Sequence, residues 1–196
     1  YADADFAGDP ATMKSTSGVF LVLKGPNTLF VLAAQSKRQT AVSHSTPEAE
    51  IVAAAYALRF FGEVILAMAV PLWKGAFNLD VKVSLYEDNE TAYRIFKSGQ
   101  NQTMRYLGRT HGVNLGYLAG RLNDKKSGMD IRKAETTAQR ADIFTKCFTN
   151  VEWKRVRRNI GVLTVEEQKE LMEQELEMFH ISAKTMCQCR ISRSTI

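Results

Sequence analysis

Four acidic residues stand where a chain can bring carboxylates to one edge of a sheet. Asp3 lies in the opening strand-like segment, Glu50 in the first helix pattern, Asp88 at the end of a later strand pattern and Asp142 in a late helix pattern. Each is flanked by apolar or small residues that hold its backbone in a core. Singly, each has an ordinary reading: Asp88 as a helix cap, Glu50 as a first-turn carboxylate facing the helix dipole, Asp142 as a solvated helix residue. As a set they point elsewhere. Carboxylates gathered at one sheet edge repel one another unless cations sit between them, and hard oxygen donors of this kind select Mg²⁺ or Mn²⁺.

Other constellations are poorer in chemistry. His180, Cys187 and Cys189 match no standard zinc spacing and lack a fourth ligand. Ser43-His44-Ser45 is not a nucleophile with its base, because adjacent strand residues point to opposite faces. No glycine-rich phosphate loop occurs. Lys37-Arg38, Arg105, Arg109 and Lys125-Lys126 could follow a nucleic-acid backbone, or simply form a solvated surface.

The elements that must position the carboxylates are legible in outline. Tyr1 to Phe6 reads as a truncated strand followed by the turn residues Gly8-Asp9-Pro10. Ser17 to Lys24 and Thr28 to Gln35, joined by Gly25-Pro26-Asn27, read as two further strands of an antiparallel meander. Ser45-Thr46-Pro47-Glu48 opens a helix with a hydroxyl cap, an early proline and a capping-box glutamate, and Ile51, Ala55, Leu58, Gly62 and Ile65 form its buried stripe up to about Pro71. Val81, Val83 and Leu85 alternate with polar residues in a strand ending at Glu87-Asp88, and Asn89 caps a helix over 90–97. A basic helical stretch over 105–122, a short strand over 129–132 and a helix from Ala138 to Phe148 come after it. The whole predicts a mixed α/β sheet with helices packed on it, in a domain spanning 1–150. Residues 151–196 form a helical tail, in which Thr164-x-x-Glu167 is a second capping box opening a Glu-rich helix through Phe179, with a frayed end from Ser182.

Composition sets the outer bounds. The chain has 196 residues, 45% hydrophobic and 24% charged, enough to bury a sizeable core without staples. Three cysteines do not make a disulfide framework, so a reducing, intracellular setting, cytoplasm or nucleus, is expected. Glu63 and Pro71 interrupt the most apolar stretch short of a membrane span, and no membrane partner is expected. The start carries neither the basic nor the apolar part of a leader and looks cut from a longer chain. The net charge is +5, and residues 1–150 hold 18 of the 26 basic side chains against 14 of the 21 acidic ones. A nucleic-acid face should therefore lie in that part.

Five blocks carry a resemblance. They are Asp3-Ala4-Asp5-Phe6-Ala7-Gly8-Asp9, Lys14-Ser15-Thr16-Ser17-Gly18, Ser45-Thr46-Pro47-Glu48-Ala49-Glu50, Tyr86-Glu87-Asp88-Asn89 and Ala141-Asp142-Ile143-Phe144-Thr145-Lys146. In this order they resemble the successive motifs of the ribonuclease H domain at the C-terminal end of Ty1/copia-type retrotransposon polyproteins. The resemblance implies a ribonuclease H-like fold, hydrolysis of the RNA strand of RNA/DNA hybrids with two Mg²⁺ or Mn²⁺ ions, and an upstream reverse transcriptase in the same polyprotein. It implies Asp3, Glu50, Asp88 and Asp142 as the metal-binding catalytic carboxylates, with Asp3 bridging both ions, Glu50 and Asp88 on one and Asp142 on the other.

Neighbouring acids receive other expectations. Asp5 faces the same side of its strand as Asp3 but is not the family's catalytic position, and Asp9 belongs to the loop. Glu48 is assigned to capping with Ser45, and Glu87 to the face opposite Asp88. The family's Trp, Thr and Pro are replaced by Phe6, Pro47 and Cys147, and of its Lys-His-Ile-Asp block only His111 remains. With Tyr1 and Ala2 alone ahead of Asp3, the central strand lacks part of its pairing. These departures leave a second expectation, a degenerate or domesticated copy that binds nucleic acid or a partner without cutting.

Overall fold

The computed structural model describes residues 1–26 and 28–174. Its first elements are β1 (Ala2–Asp9), β2 (Lys14–Gly25) and β3 (Thr28–Arg38), paired antiparallel in the order β1-β2-β3. The expected meander is therefore present, with Asn27 of its second turn outside the described residues. Asp3 stands opposite Gly18 in the register, and β1 is interrupted by an irregularity between Asp5 and Asp9.

Ser45 caps α1 (Thr46–Ala57), accepting the Glu48 N–H at 3.3 Å, and Pro47 occupies the first turn. The stripe then meets a π-helical turn over Leu58–Gly62, which rotates the later turns of the helix relative to the earlier ones. Ile51, Leu58 and Gly62 are buried, Ile65 is half-buried, and beyond the turn Val64, Met68 and Leu72 face solvent. The helix does not stop at Pro71: α2 runs from Glu63 to Phe77 and ends where Asn78 turns left-handed at φ 52°. Pro71 lacks only one donor, and the turns on either side hold. Judged by length and by the mean hydropathy of its most apolar 18-residue window (1.8), the continuous run Thr46–Phe77 is long and apolar enough to cross a membrane, because it passes through both expected interruptions. Core helices of soluble proteins meet the same two criteria, and 33% of its most apolar window is buried.

Next come β4 (Val83–Glu87), α3 (Glu90–Ser98), a one-turn α4 (Leu107–Thr110), α5 (Leu115–Asn123) and β5 (Met129–Lys133). Asn89 caps α3 by accepting the Ala92 N–H at 3.0 Å, and Gly99 closes it at φ 71°. β5 pairs parallel with β4, so α3 to α5 form the crossover that a parallel pair needs. Instead of one mixed sheet there are a three-stranded antiparallel and a two-stranded parallel sheet. β1 and β4 approach where the Tyr1 ring stacks on Tyr86 at 4.6 Å, but they belong to separate sheets. One core, built on Ile51, Leu58, Leu85, Phe96, Leu107, Leu122 and Ile131, unites both sheets and α1, α3 and α5.

The expected helix over 138–148 is absent. Thr136–Ala138 and Arg140–Phe144 form two 3₁₀ turns broken at Gln139, whose backbone is extended. α6 (Asn150–Asn159) then packs Val156, fully buried, against them, and its Asn159 side chain donates to the Thr137 carbonyl at 2.9 Å. This compact unit spans Tyr1–Asn159 and includes α6.

The second unit begins at Ile160. Thr164 and Glu167 form the expected reciprocal box, the Glu167 N–H donating to Thr164 Oγ1 at 3.2 Å and the Thr164 N–H to Glu167 Oε2 at 2.9 Å, and the helix is described over 165–174. Its expected continuation to Phe179, the frayed end and His180, Cys187 and Cys189 lie outside the described residues.

Candidate metal centre

The register of β1, the cap of α1 and the end of β4 bring three carboxylates together. One oxygen each from Asp3, Glu50 and Asp88 lies within 4.8 Å of the others, with Asp3 and Glu50 buried and Asp88 half-buried. Glu50 Oε2 is buried without a hydrogen-bond partner. Burial pushes the Glu50 carboxyl up to about 10, and the charges of Asp3, Glu87 and Asp88 add to the effect. A bound cation would oppose that shift by stabilising the ionised carboxylate and screening its neighbours' charges. The donors are all hard oxygens, with no sulfur or imidazole among them, which fits a divalent cation of the Mg²⁺ type. This group can hold a metal ion.

Asp142, the fourth expected ligand, is not in that group. It is buried on the second 3₁₀ turn, where its Oδ1 accepts from Lys146 Nζ at 2.6 Å. The same ammonium reaches Asp3 Oδ1 at 3.1 Å, and Thr145 Oγ1 donates to Asp3 Oδ2. Asp142 thus meets Asp3 through a lysine. Burial pushes Asp142 up to about 6 against the hydrogen bond from Lys146. Burial works against the charge on Lys146, yet Asp3 and Asp142 outweigh it and hold the ammonium above the ordinary lysine range.

A glutamine missed by the sequence reading fixes the geometry. Tyr1 exchanges both backbone hydrogen bonds with Phe20, so the polar groups of Ala2 point away from β2. The buried Gln139 amide donates to the Ala2 carbonyl at 2.9 Å and to Asp88 Oδ1 at 3.2 Å, joining the free side of β1 to the end of β4. Nothing local in the sequence marks Gln139 for this, whereas the four-residue spacing of Asp142 and Lys146 was a usable signal. At the foot of α1, Gln39 donates to Ser17 Oγ at 3.0 Å and to the Ala49 carbonyl at 2.9 Å, pinning the turn that bears Glu50 to β2.

The neighbouring acids are sorted by the same packing. Asp5 is half-buried and outside the three-carboxylate group. Asp9 sits in its loop with Thr12 and Arg38. Glu87 is fully buried outside the three-carboxylate group but within reach of its charge, its Oε1 accepting the Asn89 N–H at 3.0 Å and its Oε2 without a partner, and burial pushes it up to about 8. Glu48 departs from its assigned role. Ser45 does receive its N–H, but the buried Glu48 carboxylate accepts the His44 N–H at 2.9 Å, the Tyr106 hydroxyl at 2.6 Å and meets His111 Nε2 at 3.1 Å. His111 thereby gains a structural partner, tying the segment after α4 to α1.

Beside this network, Lys37, Arg38, Thr40, Tyr56, Arg59 and His111 line a cavity of about 210 Å³. Its basic rim collects the Lys37-Arg38 pair with a third cation, Arg59. No model of a protein family matches the chain, and no curated protein and no solved structure matches it.

Proposed function

We propose that the chain is a metal-dependent endoribonuclease domain of the ribonuclease H type, from a copia-type retrotransposon polyprotein, hydrolysing the RNA strand of RNA/DNA hybrids. One observation carries the reading: Asp3, Glu50 and Asp88 converge from segments far apart in the chain, and a buried Glu50 oxygen has no partner. The element order supports it in part, with a meander, a long helix and a parallel strand pair in sequence, although the strands form two sheets rather than one.

Asp3, Glu50 and Asp88 would hold one Mg²⁺ or Mn²⁺ ion, and Asp3 with Asp142 a second. Ions so bound supply an activated water and charge stabilisation at the phosphate. The chain's own residues orient the ligands: Gln139 holds Asp88, Thr145 holds Asp3 and Gln39 anchors the turn of Glu50. Lys37, Arg38 and Arg59 offer positive charge to a sugar-phosphate backbone, which positions a duplex without reading bases. Preference for a hybrid would then rest on 2′-hydroxyls and duplex shape. An upstream reverse transcriptase domain and an intracellular setting belong to the same reading.

A second reading, the degenerate or domesticated copy that binds without cutting, has one observation in its favour: Lys146 already pairs with both Asp3 and Asp142. Cleavage of an end-labelled hybrid in Mg²⁺ and in Mn²⁺ separates the two, with Asp3→Asn as the control for contaminating nuclease. Metal-dependent cleavage lost in Asp3→Asn supports the nuclease. A folded, inactive parent that still retains hybrid supports the binding module.

A further inference from the structure

The four carboxylates are not equivalent in their present company. Asp3, Glu50 and Asp88 share a locus in which a buried Glu50 oxygen has no partner and Lys146 bonds to Asp3 alone of the three, whereas Asp3 and Asp142 are bridged directly by Lys146 at 3.1 and 2.6 Å. Those are contact distances for a charge-assisted hydrogen bond. A divalent ion held by the same Asp3 and Asp142 oxygens would bring two like charges together beside the ammonium, so the two cations compete for the pair. Lys146 also has somewhere to go: its side chain is 39% exposed and rides on a flexible four-carbon stem at the edge of the site.

The geometry points to Lys146 as the resident cation of the Asp3–Asp142 half of the site, competing with a second divalent ion for the same oxygens. One ion loads at Asp3, Glu50 and Asp88. The second loads only as the ammonium swings out to solvent. This rests on the metal-binding reading above, and it adds an order of loading and a residue that sets it. Thr145, which donates to the other Asp3 oxygen, keeps that carboxylate oriented in both states.

The test is a Mn²⁺ titration of the full chain without nucleic acid, monitored by calorimetry and by the electron paramagnetic signal of free Mn²⁺. The wild type should bind one ion, and a second at least tenfold more weakly. Lys146→Met should narrow that gap by at least tenfold, Lys146→Arg should preserve it, and Asp142→Asn should lose the second ion alone. In wild-type protein carrying ¹³C-labelled lysine, the Lys146 Cε resonance should stay in place over the first equivalent of Mg²⁺ and move with the second. That readout needs no variant to fold. Two wild-type sites of equal affinity, a Met variant with an unchanged gap, or a Cε resonance that ignores the second ion would overturn the role of Lys146 while leaving the metal site intact. If no ion binds, the metal-binding reading and this inference fall together.

Discussion

Gly18 lies opposite Asp3 in the β1–β2 register, and its missing side chain admits the turn that carries Asp142. A Cβ at Gly18 would lie 2.7 Å from Thr145 Cγ2, 2.8 Å from the Ala141 carbonyl oxygen and 3.2 Å from Phe144 Cβ. One of these is backbone and cannot swing aside. The strand that presents Asp3 and the turn that presents Asp142 and Lys146 therefore meet only across a glycine.

Gly18→Ala should accordingly destabilise the fold by about 1–3 kcal/mol through overpacking, and should lower hybrid cleavage by displacing Thr145 and Lys146 from Asp3. Gly120→Ala, in the exposed face of α5 with nothing near its absent Cβ, should instead stabilise by roughly 0.5–1 kcal/mol with cleavage unchanged. Urea denaturation of the two variants checks both signs. Equal effects at the two glycines would mean that close approach to the turn is not what Gly18 provides.

The carboxylates give a prediction in pH. In the metal-free fold Glu50 titrates at about 10 against 4.5 ordinarily, Glu87 at about 8 against 4.5, and Asp142 at about 6 against 3.8. Each folded-state value is raised, so between the two values the folded chain holds a proton that the unfolded chain has released. The stability this confers is complete below the ordinary value and is lost as pH climbs through the window to the raised one. Metal-free melting temperature should fall between pH 5 and 9, Glu50→Gln should flatten the fall, and Mg²⁺ should raise the melting temperature of the parent most at the alkaline end. Asp3→Asn, Glu50→Gln and Asp88→Asn should also abolish cleavage, and Asp142→Asn should reduce it severely. Asp5→Asn and Glu87→Gln should keep it.

Gln139 should behave as a positioning residue. Gln139→Leu fills the same space but leaves the buried Ala2 carbonyl without a donor, which costs about 1–3 kcal/mol, and it releases Asp88. Loss of such an outer support typically weakens metal affinity and activity roughly 10–100-fold. Calorimetric Mn²⁺ affinity of the folded variant distinguishes this from general destabilisation, because a purely structural glutamine would leave the affinity of the surviving fold unchanged.

What was legible in the sequence was what is decided locally. The Ser45 cap, the Asn89 cap, the Thr164–Glu167 box and the strand over Val83–Glu87 all depend on residues a few positions apart, and the structure contains each. What was not legible depends on distant partners. Glu48 has a capping partner three residues back, but its carboxylate is claimed by Tyr106 and His111, some sixty residues on. The segment after Ala138 has helical spacing, yet Gln139 is drawn out of a helix to Ala2 and Asp88, and two 3₁₀ turns result. Of the candidate ligands, Asp3, Glu50 and Asp88 come together, while Lys146 stands between Asp142 and Asp3 because a cation inside the chain can satisfy that pair.

The C-terminal boundary supplies the last prediction. Because all motif blocks end by Phe148, everything from Val151 onward is expected from sequence to be dispensable, but α6 braces the turns that bear Asp142. Val156 is fully buried against them, and the Arg155 and Asn159 side chains both donate to the Thr137 carbonyl. Burial of Val156 alone is worth roughly 1.5–3 kcal/mol. A chain ending at Asn159 should retain the melting temperature and hybrid cleavage of residues 1–196, since the acidic helix over 165–174 has no attraction for phosphates. A chain ending at Thr149 should melt lower and lose cleavage, with Mn²⁺ binding at Asp3, Glu50 and Asp88 affected less than binding at Asp142. Full activity in the shorter chain would show that the Asp142 turn holds its shape without α6.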